Sequence, residues 1–212
     1  MTDLYNFRKD YKLFSLSKEE VDENPISQFK KWMSQAISFQ IAEPNAMTLA
    51  TSTPDGVPSA RVVLLKSFDK NGFVFFTNYE SRKGQELSKN PHACIVFDWH
   101  LMERQVRIEG VAKKVTAEAS DQYFNARPES SQLGAWISPQ STFIDGRQEL
   151  DDRKTKVESM FKDKAISRPP HWGGYVLKPH TIEFWQGRES RLHDRIIYIK
   201  ADEEWILRRL AP

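Results

Sequence analysis

A single cysteine, Cys94, is all that 212 residues carry. An intramolecular disulfide is excluded, and so is a thiolate-rich metal site within one chain. Cys94 lies in the apolar run His92-Ala93-Cys94-Ile95-Val96-Phe97, so it reads as a buried, inert thiol. No apolar run approaches the ~20 residues that a membrane-spanning helix needs. A surplus of one charge is also missing. Thirty-one basic residues stand against 29 acidic ones, a formal net charge of +2. That balance argues against nucleic acid as a partner over the whole surface, so any anion recognition must be local. Residues 1–12 are polar with charges of both signs, unlike a secretory signal peptide. The expectation is a soluble protein of a reducing compartment, most simply the cytoplasm.

Familiar catalytic signatures are lacking too. There is no Gly-x-Gly-x-x-Gly fingerprint, no Walker A loop and no Gly-x-Ser-x-Gly elbow. The histidines at 92, 100, 171, 180 and 193 form no ligand pair such as His-x-x-x-His, so no metal site is expected. If the chain is an enzyme, its hard chemistry belongs to a bound organic cofactor.

What is present is a β-rich chain with flanking helices. Residues 1–25 read as an extended arm, and 26–212 as one domain. Phe29, Trp32, Met33, Ala36, Ile37 and Ile41 recur at helical spacing over 27–42, with Ser27 as a candidate cap. Strands are expected at 46–53, 59–68, 72–78, 92–99 and 104–115, with turns at Pro54-Asp55-Gly56 and Asn71-Gly72. A short helix is expected over 81–90, and mainly helix over 116–163 with a loop near 138–142. Strands return at 174–177, 181–185, 192–200 and 205–210. Short sequential strands of this kind suggest an antiparallel barrel.

Four stretches concentrate cationic or polar chemistry. In Arg61-Val62-Val63-Leu64-Leu65-Lys66, the odd spacing puts Arg61 and Lys66 on opposite faces of a regular strand. A strand with charged ends explains the run equally well. Ser81-Arg82-Lys83 opens a helix, where amides and dipole favour an anion, and two cations at that end suggest a bound phosphate. Tyr123 and Arg127 are four apart on one helical face, with Ser131 beyond; the three could surround a phosphate or decorate a surface. Gln105, Gln140 and Ser141 offer uncharged polar groups, and each could equally be a generic surface residue. In Trp185-Gln186-Gly187-Arg188-Glu189-Ser190-Arg191-Leu192-His193-Asp194-Arg195, the residues Arg191, His193 and Arg195 alternate, as on one face of a strand.

Taken together, these runs resemble the pyridoxine (pyridoxamine) 5′-phosphate oxidase family over nearly the whole chain. The motifs are Arg61-Val-Val-Leu-Leu-Lys66, Phe76-Thr-Asn78 with Ser81-Arg-Lys83, Glu103-Arg-Gln-Val106, Ser131-Gln-Leu-Gly-Ala-Trp136, Trp185-Gln-Gly187, Arg191-Leu-His-Asp-Arg195 and a terminal Arg209-Leu-Ala-Pro212. The resemblance implies an FMN-binding split β-barrel, as a homodimer with FMN at the subunit interface. It implies that Arg61, Val62, Val63, Leu64, Lys66, Phe76, Thr77, Ser81, Arg82, Lys83, Gln105, Gln140, Ser141, Trp185 and Arg195 bind FMN. It implies that Lys66, Tyr123, Arg127 and Ser131 meet the substrate phosphate, that Arg191 and His193 face the pyridine ring, and that Arg8 and Tyr11 close over it. The implied reaction oxidises pyridoxine 5′-phosphate or pyridoxamine 5′-phosphate to pyridoxal 5′-phosphate. Hydride passes from C4′ to flavin N5, and O2 accepts the electrons to give H2O2. Phe76 stands where the family often has Tyr, and residues 14–24 are acidic where relatives often have a basic run. Two rival readings are another split-barrel flavin reductase and a non-catalytic carrier of FMN or pyridoxal phosphate. The reductase need not have Tyr123, Arg127 and the Arg191/His193 pair, and a carrier would yield no peroxide.

Overall fold

The computed structural model describes residues 4–6 and 9–212. Nine strands form one antiparallel sheet: β1 (Ala46–Ser52), β2 (Pro58–Leu64), β3 (Ser67–Asp69), β4 (Gly72–Asn78), β5 (His92–Trp99), β6 (Arg104–Lys114), β7 (Trp172–Gln186), β8 (Asp194–Ala201) and β9 (Glu204–Leu210). Their order is β2-β1-β5-β6-β7-β4-β3, with β8 paired to β7 and β9 to β8. Five helices flank the sheet: α1 (Pro25–Ser38), α2 (Arg82–Lys89), α3 (Ala117–Asn125), α4 (Glu129–Ile137) and α5 (Arg147–Phe161).

The sheet curls because β7 serves two neighbours on one edge. Its first half pairs with β4, its second half with β8, and β6 runs along its other edge. The sequence reading expects two strands here, separated near Pro179. One strand forms instead, because the register shifts between Glu109 and Gly110, and Gly110 sits opposite Pro179. A bulge accommodates a residue that cannot donate to the ladder.

The concave side holds the core. Met47, Leu49, Ile95, Phe97, Val106, Ile108, Ile182 and Phe184 alternate inward from their strands and are buried. Phe29 of α1 is fully buried, its ring 4.8–5.0 Å from those of Phe68, Phe73 and Phe97. Helix α1 starts earlier than its apolar periodicity suggests. Asn24, not Ser27, caps it, accepting from the Ile26 and Ser27 amides, and Pro25 takes the first helical position. It ends at Ser38, with Ile37 on its exposed face, while Ile41 packs against the core from beyond its end.

Helix α2 begins hard against the end of β4. Ser81 caps it by accepting from the Gly84 amide. A Cβ at residue 84 would lie 2.1 Å from the Tyr79 carbonyl oxygen. Gly84→Ala is therefore expected to displace the first turn of α2 and cost about 2–3 kcal/mol. For a domain of this size that lowers Tm by about 4–12 °C. Scanning calorimetry checks it; an unchanged Tm would mean that α2 shifts without cost.

Candidate active site

A cavity of about 480 Å³ opens beside β2, the end strand of the sheet order. Arg61, Val62, Val63, Leu64 and Lys66 line it from β2 and its exit. Arg61 and Lys66 thus reach one cavity, against the parity expected of a continuous strand. The strand ends at Leu64, and the Lys66 amide donates to Val74 O at 2.8 Å, so the chain has turned before Lys66. Phe76, Thr77 and Asn78 line it from β4, and Lys83 from α2. Tyr123, Arg127, Pro128, Ser131, Gln140 and Trp172 complete the wall.

Lys83 is the most constrained cation here. It is buried, and its Nζ donates to Gln140 Oε1 at 2.8 Å and to Thr77 Oγ1 and Ser81 Oγ at 3.3 Å. All three acceptors are uncharged. Burial, reinforced by the Arg61 charge, pushes the Lys83 ammonium down to about 8. Arg82, the preceding residue, does not line the cavity. It is exposed, and its Nε donates to Glu86 Oε1 at 2.9 Å. The two cations at the start of α2 therefore have different surroundings.

Arg127 follows α3 rather than lying on it, since that helix ends at Asn125. The expected i,i+4 face is absent, yet both Tyr123 and Arg127 line the cavity. Phe76 and Tyr123 stack at 4.0 Å, and Trp172 continues the shelf at 5.4 Å from Phe76. The Arg127 guanidinium lies 4.6 Å from the Trp172 ring centre. Its Nη1 is buried without a hydrogen-bond partner, and burial lowers its pKa. A buried charged donor left unsatisfied is costly, so this nitrogen calls for an anionic acceptor.

A second pocket lies near the end of β7, and its lining shares no residue with the first. Tyr11, Trp185, Arg188, Arg191 and His193 line it. Arg191 and His193 are not on a strand. Glu189–Arg191 form a 3-10 turn, Ser190 and Arg191 have φ of 54° and 61°, and β8 starts only at Asp194. The alternation of Arg191, His193 and Arg195 is therefore not a strand face. His193 Nδ1 accepts the Arg188 amide at 3.1 Å, which assigns the neutral ring's proton to Nε2. Burial and then the Arg191 charge lower the His193 pKa, with Asp194 opposing.

Tyr11 packs edge-on to Trp185 at 5.9 Å and sits 5.9 Å from the His193 ring. The approach needs Gly187, where a Cβ would lie 2.7 Å from the Tyr11 ring. Two buried carboxylates hold this arm. Glu103 Oε2 accepts from the Lys12 and Leu13 amides at 2.8 and 3.0 Å, and Asp194 Oδ2 accepts from the Leu16 amide at 3.1 Å. The acidic composition of 14–24 does not prevent docking, because these bonds come from arm backbone. Arg8 lies outside the described residues.

The remaining candidates fall elsewhere. Gln105, Trp185 and Arg195 are cross-strand neighbours in one row over β6, β7 and β8. Arg195 Nε donates to Glu183 Oε1 at 2.7 Å. Gln105 and Arg195 line neither pocket. Ser141 is exposed beside Gln140, with φ of 69°. Cys94 is half-buried rather than fully buried, and burial raises its thiol pKa.

Comparison with known proteins decides the family. Residues 33–161 match the family described as pyridoxamine 5′-phosphate oxidase, and residues 172–212 match the pyridoxine 5′-phosphate oxidase C-terminal dimerisation region. The chain belongs to the pyridoxamine 5′-phosphate oxidase family. It is 58% identical to the pyridoxine/pyridoxamine 5′-phosphate oxidase of Nostoc punctiforme, over 98% of this chain and 97% of that one. It is 54% identical to the oxidase of the same name from Paraburkholderia xenovorans, over the full length of both. Among solved structures, PhzG from Burkholderia lata in complex with tetrahydrophenazine-1-carboxylic acid is similar with a TM-score of 0.89 at 30% identity, covering 96% of this chain and all of that one. An FMN-binding protein related to the family, from Nostoc punctiforme, shares the fold with a TM-score of 0.69 at 18% identity, over 94% of this chain and all of that one. The curled antiparallel sheet is the split barrel of this family.

Trp172 and Glu86 were missed by reading the sequence. Trp172 follows a Pro-Pro break and gives no periodic signal. Glu86 was visible as the i,i+4 partner of Arg82, a pair ordinarily taken for surface decoration.

Proposed function

We propose that this chain is an FMN-dependent oxidase that converts pyridoxine 5′-phosphate and pyridoxamine 5′-phosphate to pyridoxal 5′-phosphate, with O2 as electron acceptor and H2O2 as product. One observation carries the reading: Arg61, Lys66, Lys83 and Arg127 converge on a single cavity in a chain of nearly balanced charge, and Arg127 Nη1 is buried there without a partner. Relatives more than 50% identical over their full length carry the oxidase name.

The residues present fit FMN. Lys83, Thr77, Ser81 and Arg61 would hold its phosphate, with Arg82 at the rim, and β2, as an end strand, offers backbone groups to a polar ring system. When bound, FMN supplies a reversible two-electron acceptor that no side chain here provides, taking hydride from substrate C4′. Lys66, Tyr123, Arg127 and Ser131 would hold the substrate phosphate, with Arg127 locked over Trp172. Arg191 would orient the pyridine ring, and His193 would present an Nε2–H donor to its polar edge rather than a base. Tyr11, docked through Glu103 and Asp194, would cover that pocket and exclude water.

The two pockets share no lining residue, which supports a homodimer in which FMN sits at the interface and one protomer's Arg191 and His193, with its Gln105–Trp185–Arg195 row, complete the partner's cationic cavity. The match to a dimerisation region agrees. Residues 26–212 act as one domain with 1–25 as its arm, and the cytoplasm is the proposed location. The test is an aerobic peroxide assay of the FMN-loaded protein. Pyridoxine 5′-phosphate should yield equal peroxide and pyridoxal 5′-phosphate, while unphosphorylated pyridoxine yields little. No peroxide from either phosphorylated substrate would overturn the reading in favour of a carrier.

A further inference from the structure

Glu86 is a buried carboxylate on α2, three residues beyond Lys83. Its contacts form a closed ring. Arg61 Nη1 donates to Thr51 Oγ1 at 2.5 Å, and Arg61 Nη2 donates to Ser59 Oγ. Both hydroxyls then donate to the same atom, Glu86 Oε2, at 2.5 and 2.6 Å. A hydroxyl has one proton. The guanidinium can only donate and the carboxylate only accept, so each hydroxyl accepts from Arg61 and directs its proton to Glu86. Thr51 and Ser59 face each other in the β1–β2 register, and Ser59 and Arg61 share a face of β2. The other oxygen, Glu86 Oε1, accepts from Arg82 Nε at 2.9 Å.

We propose that Glu86, acting through Thr51 and Ser59, is a positioning residue for flavin phosphate recognition: it orients Arg61 and Arg82 and balances three clustered cations before the phosphate arrives. The inference rests on reading this cavity as the FMN site. Arg61, Arg82 and Lys83 repel one another when no anion is bound, and a long side chain loses rotamer freedom when fixed. A buried, ionised carboxylate meets both costs in advance. Burial alone would raise the Glu86 carboxyl, but the Ser59, Thr51 and Arg82 hydrogen bonds hold it at about 2, so it stays charged at any working pH. An amide in its place would remove the charge and set an NH2 group against either the two hydroxyls or Arg82 Nε, so at least one side of the arrangement is lost.

The experiment titrates cofactor-free protein with FMN and with riboflavin, which lacks the phosphate, following flavin fluorescence. In Glu86→Gln, FMN affinity should fall about 10- to 100-fold, the scale of one or two charge-assisted hydrogen bonds, while riboflavin affinity moves less than about twofold. Ser59→Ala removes one bridge and leaves the charge; it should lower the FMN-to-riboflavin affinity ratio by about 3- to 10-fold, and it carries the test if Glu86→Gln does not fold. Ser59→Thr, which restores a hydroxyl, should recover the ratio. Unchanged or tighter FMN binding in Glu86→Gln would overturn the proposal, since the carboxylate would then only repel the phosphate. An equal loss for FMN and riboflavin would overturn it too, as a general structural effect. Wild-type protein with no preference for FMN over riboflavin would instead sink the reading of the cavity itself.

Discussion

Arg191→Ala is expected to lower kcat/KM for pyridoxine 5′-phosphate by about 100- to 1000-fold, a loss of about 3–4 kcal/mol in transition-state stabilisation, with FMN retained. The turn that carries Arg191 is built at a cost. Ser190 and Arg191 both hold positive φ, and strain of this kind in a non-glycine residue costs about 1–3 kcal/mol and persists where surroundings or function demand it. Arg188, close by, pairs with Asp194 at 3.0 Å. No described residue makes a hydrogen bond or ion pair with the Arg191 guanidinium, which lines the pocket with His193, Trp185 and Tyr11. That charge is held ready for a ligand. In the proposed dimer Arg191 completes the partner's cavity on the side of the pyridine ring, while Lys83 and Arg61 hold the flavin phosphate, so FMN affinity should change less than about threefold. Steady-state kinetics with flavin absorbance after gel filtration separates the two effects. Normal turnover in the variant would remove Arg191 from the site.

Most strands and the hairpin between 92–99 and 104–115 were legible because alternation and turn residues act locally. The long-range pairings were not, and the expected strand 59–68 divides into β2, which pairs with β1, and β3, which pairs with β4. The 72–78, 92–99 and 104–115 segments reappear within a residue as β4, β5 and β6. The site was legible only as residue types. Arg61 and Lys66 were set on opposite faces because a two-residue period assumes an unbroken strand, and the chain turns at Leu65. Arg191, His193 and Arg195 alternate in sequence, but two positive-φ residues break the strand before it starts. Tyr123 and Arg127 have helical spacing, but the helix ends between them. In each case the period was read correctly and the element stopped short. Among the described residues four carboxylates, Glu86, Glu103, Glu183 and Asp194, are buried. Glu86 was visible only as a helical partner of Arg82, Glu103 and Asp194 only within motifs, and the burial of none was legible. Their partners are arm amides, strand hydroxyls and arginines brought near by the fold, and a lone Glu or Asp in sequence carries no sign of burial.

Lys83→Met should weaken FMN binding about 10- to 100-fold and remove its pH dependence above pH 8. The ammonium is buried among three neutral acceptors, and its pKa has fallen to about 8. For the cofactor-free protein the sign is opposite to that of an ion-paired lysine. The folded-state pKa lies below the unfolded one, so the protonated form is disfavoured on folding, and stability should rise as pH climbs from about 8 toward the ordinary lysine range. FMN binding runs the other way. The phosphate selects protonated Lys83, so affinity should be flat below about pH 8 and then fall by up to about tenfold per pH unit. On the acid side it should fall again below about pH 6, where a phosphate monoester takes up its second proton. Fluorescence titrations across pH 5–10 test the whole curve. In Lys83→Met the alkaline limb should vanish while the acid limb survives, because the acid limb belongs to the ligand. Persistence of the alkaline limb in the variant would assign it to another group and take Lys83 out of phosphate recognition.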